Sequence, residues 1–528
     1  MTPLEVLRRY PAHDYSLYGA LASRAQRIPQ HSFIEFEEAR LSYTETRASV
    51  HQAMVLLASY GVKPGDRIAV MAHNHPATAV LFLALASLGA MMVGVNPDFG
   101  EKEAHYVLEH SQSSGIVCSP AALATVEAVS GSLPARPWIR TNEPDFLSGA
   151  VHHAPAPVGR ADDVCILVYT SGTTGFPKGV MHSQRSVVLA GEGFVRRMHL
   201  DPAERILCLL PMFHVNAVFY SLAGALAAGA TLLLEGKFSA SKFWQIVAAR
   251  KATEVNTIAA MMNILMRRSR EEYVPNHTLT KIYGAPFSPE IYRVFEQEFG
   301  VPHLIEGYGM SEIPGVFSNP FDGERRKGSM GKPSLHPDPA VNLAQVRIVD
   351  EDGNEVPAGV TGEIAVRTPT IMKGYYRDPA ATAAAFRDGF FLTGDLAWVD
   401  ADGYYWFVAR KKDIIRRRGE NISGAEIDRV VGDHPEVVEA AAIGVPAELG
   451  EDEVLLAVVK KPGSRLTEPE LAAWCGARLA PFKLPRFVLF VDALPRTPTH
   501  RIAKFELRKD ATLKQRAVDL NERNPRGP

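Results

Sequence analysis

One string of the chain, Tyr169-Thr170-Ser171-Gly172-Thr173-Thr174-Gly175-Phe176-Pro177-Lys178-Gly179, gathers hydroxyls, glycines and a lysine directly behind the apolar run Cys165-Ile166-Leu167-Val168. Glycines let a backbone curl until its N–H groups converge on phosphate oxygens, and Ser/Thr hydroxyls with one ammonium add donors. The chemistry this suits is holding a polyphosphate. The GxxxxGK[ST] spacing fails, because Pro177 and Gly179 flank Lys178. A flexible Ser/Gly/Thr linker is the competing reading, and it is rejected for a string of this length and composition. No Ser/His/Asp triad, carboxylate dyad or metal-ligand cluster stands out elsewhere in the sequence.

The string resembles the phosphate loop of the adenylate-forming (ANL) superfamily, which includes acyl-CoA synthetases, luciferases and nonribosomal-peptide adenylation domains. Further segments resemble that family in the same order over nearly the whole chain. The resemblance implies nucleotide contacts from Thr170, Ser171, Gly172, Thr173, Thr174 and Lys178. Pro211-Met212-Phe213-His214 resembles the motif lining the acyl pocket, with Phe213 and His214 facing the acid and His214 counted as catalytic. Tyr283-Gly284-Ala285-Pro286 and Gly307-Tyr308-Gly309-Met310-Ser311-Glu312 resemble the two segments that sandwich adenine and meet the α-phosphate. Glu312 is thereby implied as the ligand of Mg2+, a hard cation already held by phosphate oxygens. Ser311 replaces the commoner threonine and keeps a hydroxyl donor.

By the same resemblance Asp395, in Thr393-Gly394-Asp395, and Arg410 hold the ribose. Lys412 is implied as a hinge residue, and Gly419-Glu420-Asn421 as the lining of a pantetheine tunnel for CoA. Taken singly each motif is weak, since an isolated TGD is usually a turn. Arg416, Arg417 and Arg418 have two open readings, CoA phosphate contacts or a solvated basic face.

The chain departs from the family at one functional position. Members that adenylate carry a lysine in a C-terminal Gly-Lys pair, which bridges the substrate carboxylate and the α-phosphate. The flanking Pro495-Arg496-Thr497-Pro498-Thr499, Ile502, Lys504 and Leu507-Arg508 set the register here, so His500 and Arg501 occupy the pair. Arginine keeps the charge, but its planar fork is larger and aimed differently from a compact ammonium. Losing one preorganised transition-state donor commonly costs on the order of 10²–10³ in rate. His500 in place of glycine also disfavours any positive-φ turn.

These residues need a scaffold. At 528 residues, 46% hydrophobic and 22% charged, the chain is globular in composition and long enough for several packed units. A formal net charge of −2 gives no general attraction to nucleic acid or anionic membrane. Four scattered cysteines without CxxC or zinc spacing suit buried thiols in a reduced cytoplasmic protein. Neither terminus shows a secretory, lipidation or peroxisomal signal. Apolar stretches at 79–95 and 206–234 are read as buried helices beside buried parallel strands rather than membrane spans.

Short apolar runs at 67–71, 115–118, 165–169, 206–210, 231–234 and 255–258 alternate with helical patterns, which predicts βαβ units and parallel sheets. From Val346 the texture changes to hairpins with Asp-Gly turns. The fold class expected is therefore α/β: a large N-terminal AMP-binding domain (1–411) of βαβ sheets plus a β-rich subdomain. A small mobile α+β domain (412–528), hinged at Lys412, completes it. In that domain Thr467 and Glu470 have capping-box spacing.

The function expected is an acyl-CoA ligase that makes a thioester through an acyl-adenylate, using ATP or acyl-AMP, CoA and Mg2+. The adenylating half is expected to be impaired by Arg501, so that a preformed acyl-AMP from a separate adenylating enzyme is accepted. The alternatives are a complete two-step ATP-dependent synthetase and a non-catalytic adenylate-binding protein. An amino-acid adenylation enzyme is disfavoured because PMFHVNAVFY offers no carboxylate for a substrate ammonium. Phe213, His214 and the surroundings of Tyr308 point to an apolar acid, and Ala/Arg-rich usage to natural-product biosynthesis in a GC-rich bacterium.

Overall fold

A computed structural model describes residues 1–142, 155–170, 177–417, 420–447, 451–496 and 502–521. Two compact units divide the chain, Met1–Val346 with Val366–Phe391, and Arg347–Ala365 with Leu392–Pro528. The hairpins that begin beyond Val346 thus fall mainly with the C-terminal residues, and Lys412 lies inside the second unit.

The first unit is built on two sheets. In one, the strands Met91–Gly94, Arg67–Met71, Gly115–Cys118 and Trp138–Thr141 run parallel, Val164–Thr170 joins beside Met91–Gly94, and Lys178–Ser183 returns antiparallel to it. In the other, Ser32–Phe36, Thr231–Leu234, Arg205–Cys208, Glu254–Asn256, Lys281–Gly284 and His303–Met310 are parallel, with antiparallel strands at both edges. The first long apolar stretch forms the buried helix Pro76–Ser87 and the strand Met91–Gly94. The second forms the strand Arg205–Cys208, the helical segment Asn216–Ala228 and the strand Thr231–Leu234. A helix hydrophobic on every side is what a sheet-covered interior demands. Among the described residues no helix is long and apolar enough to cross a membrane. All four cysteines are buried and free.

In the second unit Asp395–Val399 pairs antiparallel with Tyr405–Arg410, and the chain reverses at Asp400–Gly403 through a 3.1 Å backbone hydrogen bond with Gly403 at φ +81°. The strands Val437–Pro446, Asp452–Lys460, Phe487–Phe490 and Val518–Asp519 form a four-stranded sheet. Val518–Asp519 is an edge strand that the sequence pattern did not predict. The helix Gly424–Gly432 buries Ile427 and Val431 with Leu456, Val458 and Leu471 in a core of its own. The helix Glu468–Gly476 starts at Thr467, where the expected capping box with Glu470 forms.

Candidate active site

The strands flanking the glycine- and hydroxyl-rich string are in register, Tyr169 opposite Gly179 and Thr170 opposite Lys178, so the two ends of the string lie side by side at the end of one strand pair. Ser171, Gly172, Thr173 and Thr174 lie outside the described residues. The Lys178 Nζ stands 4.7 Å above the ring of Tyr375, whose hydroxyl donates to Glu312 Oε1 at 2.9 Å. Tyr375 sits on a short strand paired with Lys178–Ser183, and the Met372 N–H donates to the Glu312 carbonyl at 2.8 Å. Burial and the neighbouring Glu312 charge hold the Tyr375 hydroxyl protonated, with its pKa raised. Sequence reasoning missed Tyr375, although the aromatic pair Tyr375-Tyr376 after a glycine is visible there.

Glu312 and Ser311 form the turn between His303–Met310 and Ile313–Ser318. The His182 Nε2–H donates to the Ser311 carbonyl at 2.6 Å. Burial depresses the His182 pKa to about 4, which keeps the ring neutral and that tautomer in place. The strand Lys178–Ser183 and the Ser311–Glu312 turn are thus bonded to each other through a side chain that no motif advertised.

The segments 283–286 and 307–312 leave the carboxyl ends of adjacent parallel strands, Lys281–Gly284 and His303–Met310, where open α/β sheets place ligands. Glu306 organises them: it accepts from the Phe287 N–H at 2.8 Å, the Tyr292 hydroxyl at 2.5 Å and the Gly328 N–H at 2.9 Å. The turn after Gly284 contains a cis Ala285–Pro286 bond. A Cβ on Gly307 would overlap the Tyr283 hydroxyl, which explains a glycine there. Tyr308 stands opposite Phe317, their ring centroids 5.7 Å apart. The segment Pro211-Met212-Phe213-His214 is clamped by Asn74, whose amide donates to Leu210 O at 2.9 Å and accepts from Met212 N–H at 2.8 Å. Phe213 and His214 are half-buried, with ring centroids 4.5 Å apart.

The second unit carries its own group of expected residues. Asp395 is buried opposite Arg410, whose Nε lies 3.1 Å from Asp395 Oδ1. The Thr393 hydroxyl accepts from the Asp395 N–H at 3.1 Å, and Glu363 Oε1 accepts from the Gly394 N–H at 2.8 Å. The Lys412 ammonium has its pKa lowered by partial desolvation first and by Arg410 next. Gly419 is outside the described residues, Glu420 is exposed, and Asn421 pairs through its backbone with Arg416. Neither reading of the arginine run fits Arg417: it is buried, 2.6 Å from Glu453 Oε2, and donates to Phe482 O at 3.1 Å and Leu484 O at 2.9 Å. It is a structural ion pair, because a buried guanidinium needs a counter-charge.

Arg501 and His500 also lie outside the described residues. Next to them, Arg496 bridges to Ile502, and Lys504 Nζ lies 2.5 Å from Asp428 Oδ2. Lys504 therefore has a carboxylate partner of its own.

The profile described as AMP-binding enzyme matches residues 21–376, and its C-terminal domain counterpart matches residues 426–501. The chain is 34% identical over 459 residues to a sulfoacetate–CoA ligase of Cupriavidus necator, covering 85% of this chain and 88% of that protein. It is 34% identical to a feruloyl-CoA synthase of an Amycolatopsis species, covering 92% and 97%. The crystal structure of ATP-bound MatB from Rhodopseudomonas palustris superposes with a TM-score of 0.85 at 29% identity, covering 94% and 98%. With these likenesses over nearly its whole length, the chain belongs to the AMP-binding enzyme family and is an acid–thiol ligase.

Proposed function

We propose that this ligase forms acyl-CoA through an acyl-adenylate and that its adenylating half-reaction is impaired, so that it takes a preformed acyl-AMP made by a separate adenylating enzyme. The single observation that carries the reading is Arg501 in the lysine slot, with Lys504 held by Asp428 and so committed elsewhere. In the complete sequence of steps a carboxylate attacks the α-phosphorus of ATP, releasing pyrophosphate, and the CoA sulfur then displaces AMP. Both steps depend on positioning and electrostatic stabilisation rather than on a protein nucleophile.

Thr170 and Lys178, with Ser171 to Thr174, grip the phosphates. Residues 283–286 and 307–311 hold the adenine and α-phosphate, and Asp395 with Arg410 the ribose. Phe213 and His214 face the acid, and Gly419, Glu420 and Asn421 line the route of CoA. Lys412 is the hinge about which residues 413–528 turn between half-reactions. A buried carboxylate offering hard oxygens suits Mg2+, and Glu312 is the residue that would hold it; the ion would neutralise phosphate charge. The site of action is the cytoplasm, in keeping with buried free thiols.

A complete ATP-dependent synthetase is the second reading, favoured by the intact remainder of the site and by relatives that are CoA ligases. ATP–pyrophosphate exchange measured beside thioester formation from synthetic acyl-AMP separates the two. Little exchange, brisk thioester formation and exchange gained on Arg501→Lys are expected; robust exchange by the unaltered chain ends the impaired-adenylation reading.

A further inference from the structure

Arg197 has more hydrogen-bond donors than partners. It stands in the last turn of the helix Gln184–Met198 and is 5% exposed. Its Nη2 donates to the Gly315 carbonyl at 2.8 Å and to the Ser334 hydroxyl at 3.0 Å, which uses both protons of that nitrogen. A guanidinium has five N–H donors. The one on Nε and the two on Nη1 are buried and find no acceptor among the described residues. The surroundings are aromatic: the ring centroids of Phe194, Tyr220 and Tyr283 lie 5.8, 5.4 and 5.3 Å from the guanidinium carbon. Rings attract a cation, yet they supply neither a counter-charge nor in-plane acceptors, so the desolvation of this charge is only partly offset.

The cage belongs to the same place as the candidate site. Gly315 has φ +68°, and a Cβ there would overlap the guanidinium, so glycine lets the cation lie against the strand Ile313–Ser318 that follows Ser311 and Glu312. Tyr283 opens the 283–286 segment. Tyr220 belongs to Asn216–Leu222, which follows Phe213 and His214, and its hydroxyl lies 3.3 Å from where a Gly309 Cβ would stand. Three segments assigned to the adenylate and the acid therefore converge on one incompletely satisfied cation.

We infer that Arg197 recognises a second anionic group on the acid, a carboxylate or sulfonate at the end remote from the reacting carboxyl. The substrate is then an acid with two oxyanions, in contrast to the apolar acid expected from Phe213 and His214. The second oxyanion supplies acceptors for the idle donors and a counter-charge for the guanidinium. A monoacid supplies neither, and a site built to hydrogen-bond a substrate rejects analogues that leave its buried donors unpaired. The inference rests on the acyl-CoA ligase reading.

The test uses the full chain with short straight-chain α,ω-dicarboxylic and ω-sulfo acids against monoacids of matched length. Each acid is offered with MgATP and also as its preformed monoadenylate, and CoA thioester is measured as kcat/KM. The unaltered protein is expected to favour the dianionic acids by at least about 10². Arg197→Met is expected to abolish that preference, and Arg197→Lys to keep part of it. The acid panel on the unaltered protein needs no variant to fold. Equal or better use of the monoacids, or an unchanged ratio in a folded Arg197→Met protein, overturns the inference while leaving the ligase reading in place. No thioester from any acid or adenylate sinks the ligase reading, and the inference with it.

Discussion

Tyr375 and Glu312 meet through one hydrogen bond to a buried carboxylate, and Lys178 lies over the same phenol ring. Hydrogen bonds to charged groups contribute about 1.5–3 kcal/mol, so the phenol orients Glu312 as well as stabilising it. Tyr375→Phe is expected to weaken MgATP binding by about tenfold, equivalent to about 1.4 kcal/mol, in a titration calorimeter; unchanged affinity would remove the positioning role. A second residue-scale effect concerns Glu254, fully buried, both of whose carboxylate oxygens lack a hydrogen-bond partner among the described residues. Desolvation first, and the Glu204 charge next, raise its pKa well above the ordinary carboxylate value of 4.5. The folded state therefore binds this proton more tightly than the unfolded state, and stability from this group is full below pH 4.5 and declines as pH rises towards the folded pKa. Glu254→Gln removes that ionisation. It is expected to raise Tm by on the order of a few °C at pH 8, with the advantage shrinking towards pH 5; an advantage independent of pH would refute the linkage.

At the scale of elements, the first unit holds its turns with buried side chains rather than with backbone pairing alone. His182 joins the strand Lys178–Ser183 to the Ser311–Glu312 turn across 129 residues of sequence. Removing it leaves the half-buried Ser311 carbonyl without this donor, a cost of about 1–3 kcal/mol. His182→Ala is expected to lower urea-unfolding stability by that amount and to weaken nucleotide binding, while His182→Gln, which keeps a donor, recovers part of both. Because burial holds the ring neutral down to about pH 4, this imidazole should contribute no titration to activity between pH 5 and 9, and an activity step there that His182→Gln abolishes would contradict the assignment.

For the whole molecule, each unit has its own buried core, the smaller one centred on Ile415, Ile427, Leu456 and Leu471. Separate cores predict unfolding that is not two-state. Differential scanning calorimetry is expected to give a calorimetric enthalpy clearly larger than the van't Hoff enthalpy, and equality of the two would show one cooperative block. Under the hinge proposal, Lys412→Pro fixes φ at a pivot and is expected to slow overall turnover by at least about tenfold while sparing one half-reaction measured alone; equal loss in both halves would argue against a pivot there.

Chemistry that is local along the chain is legible in the amino-acid sequence itself. Alternating apolar runs announce parallel sheets, Asp400 to Gly403 announces a hairpin turn, and Thr467 with Glu470 announces a helix start. These features depend on residues within a few positions of one another, where backbone geometry alone sets the outcome. What only the tertiary structure decided involves partners far apart in sequence: His182 with Ser311, Tyr375 with Glu312, Glu306 with Tyr292 and Gly328, and Arg417 with Glu453. Arg197 belongs to that group, since the pair Arg196-Arg197 near a helix end looks solvent-bound in sequence. Its burial against Gly315 and three rings comes from the packing of separate segments, and periodicity along one segment carries no information about which distant side chain removes the water.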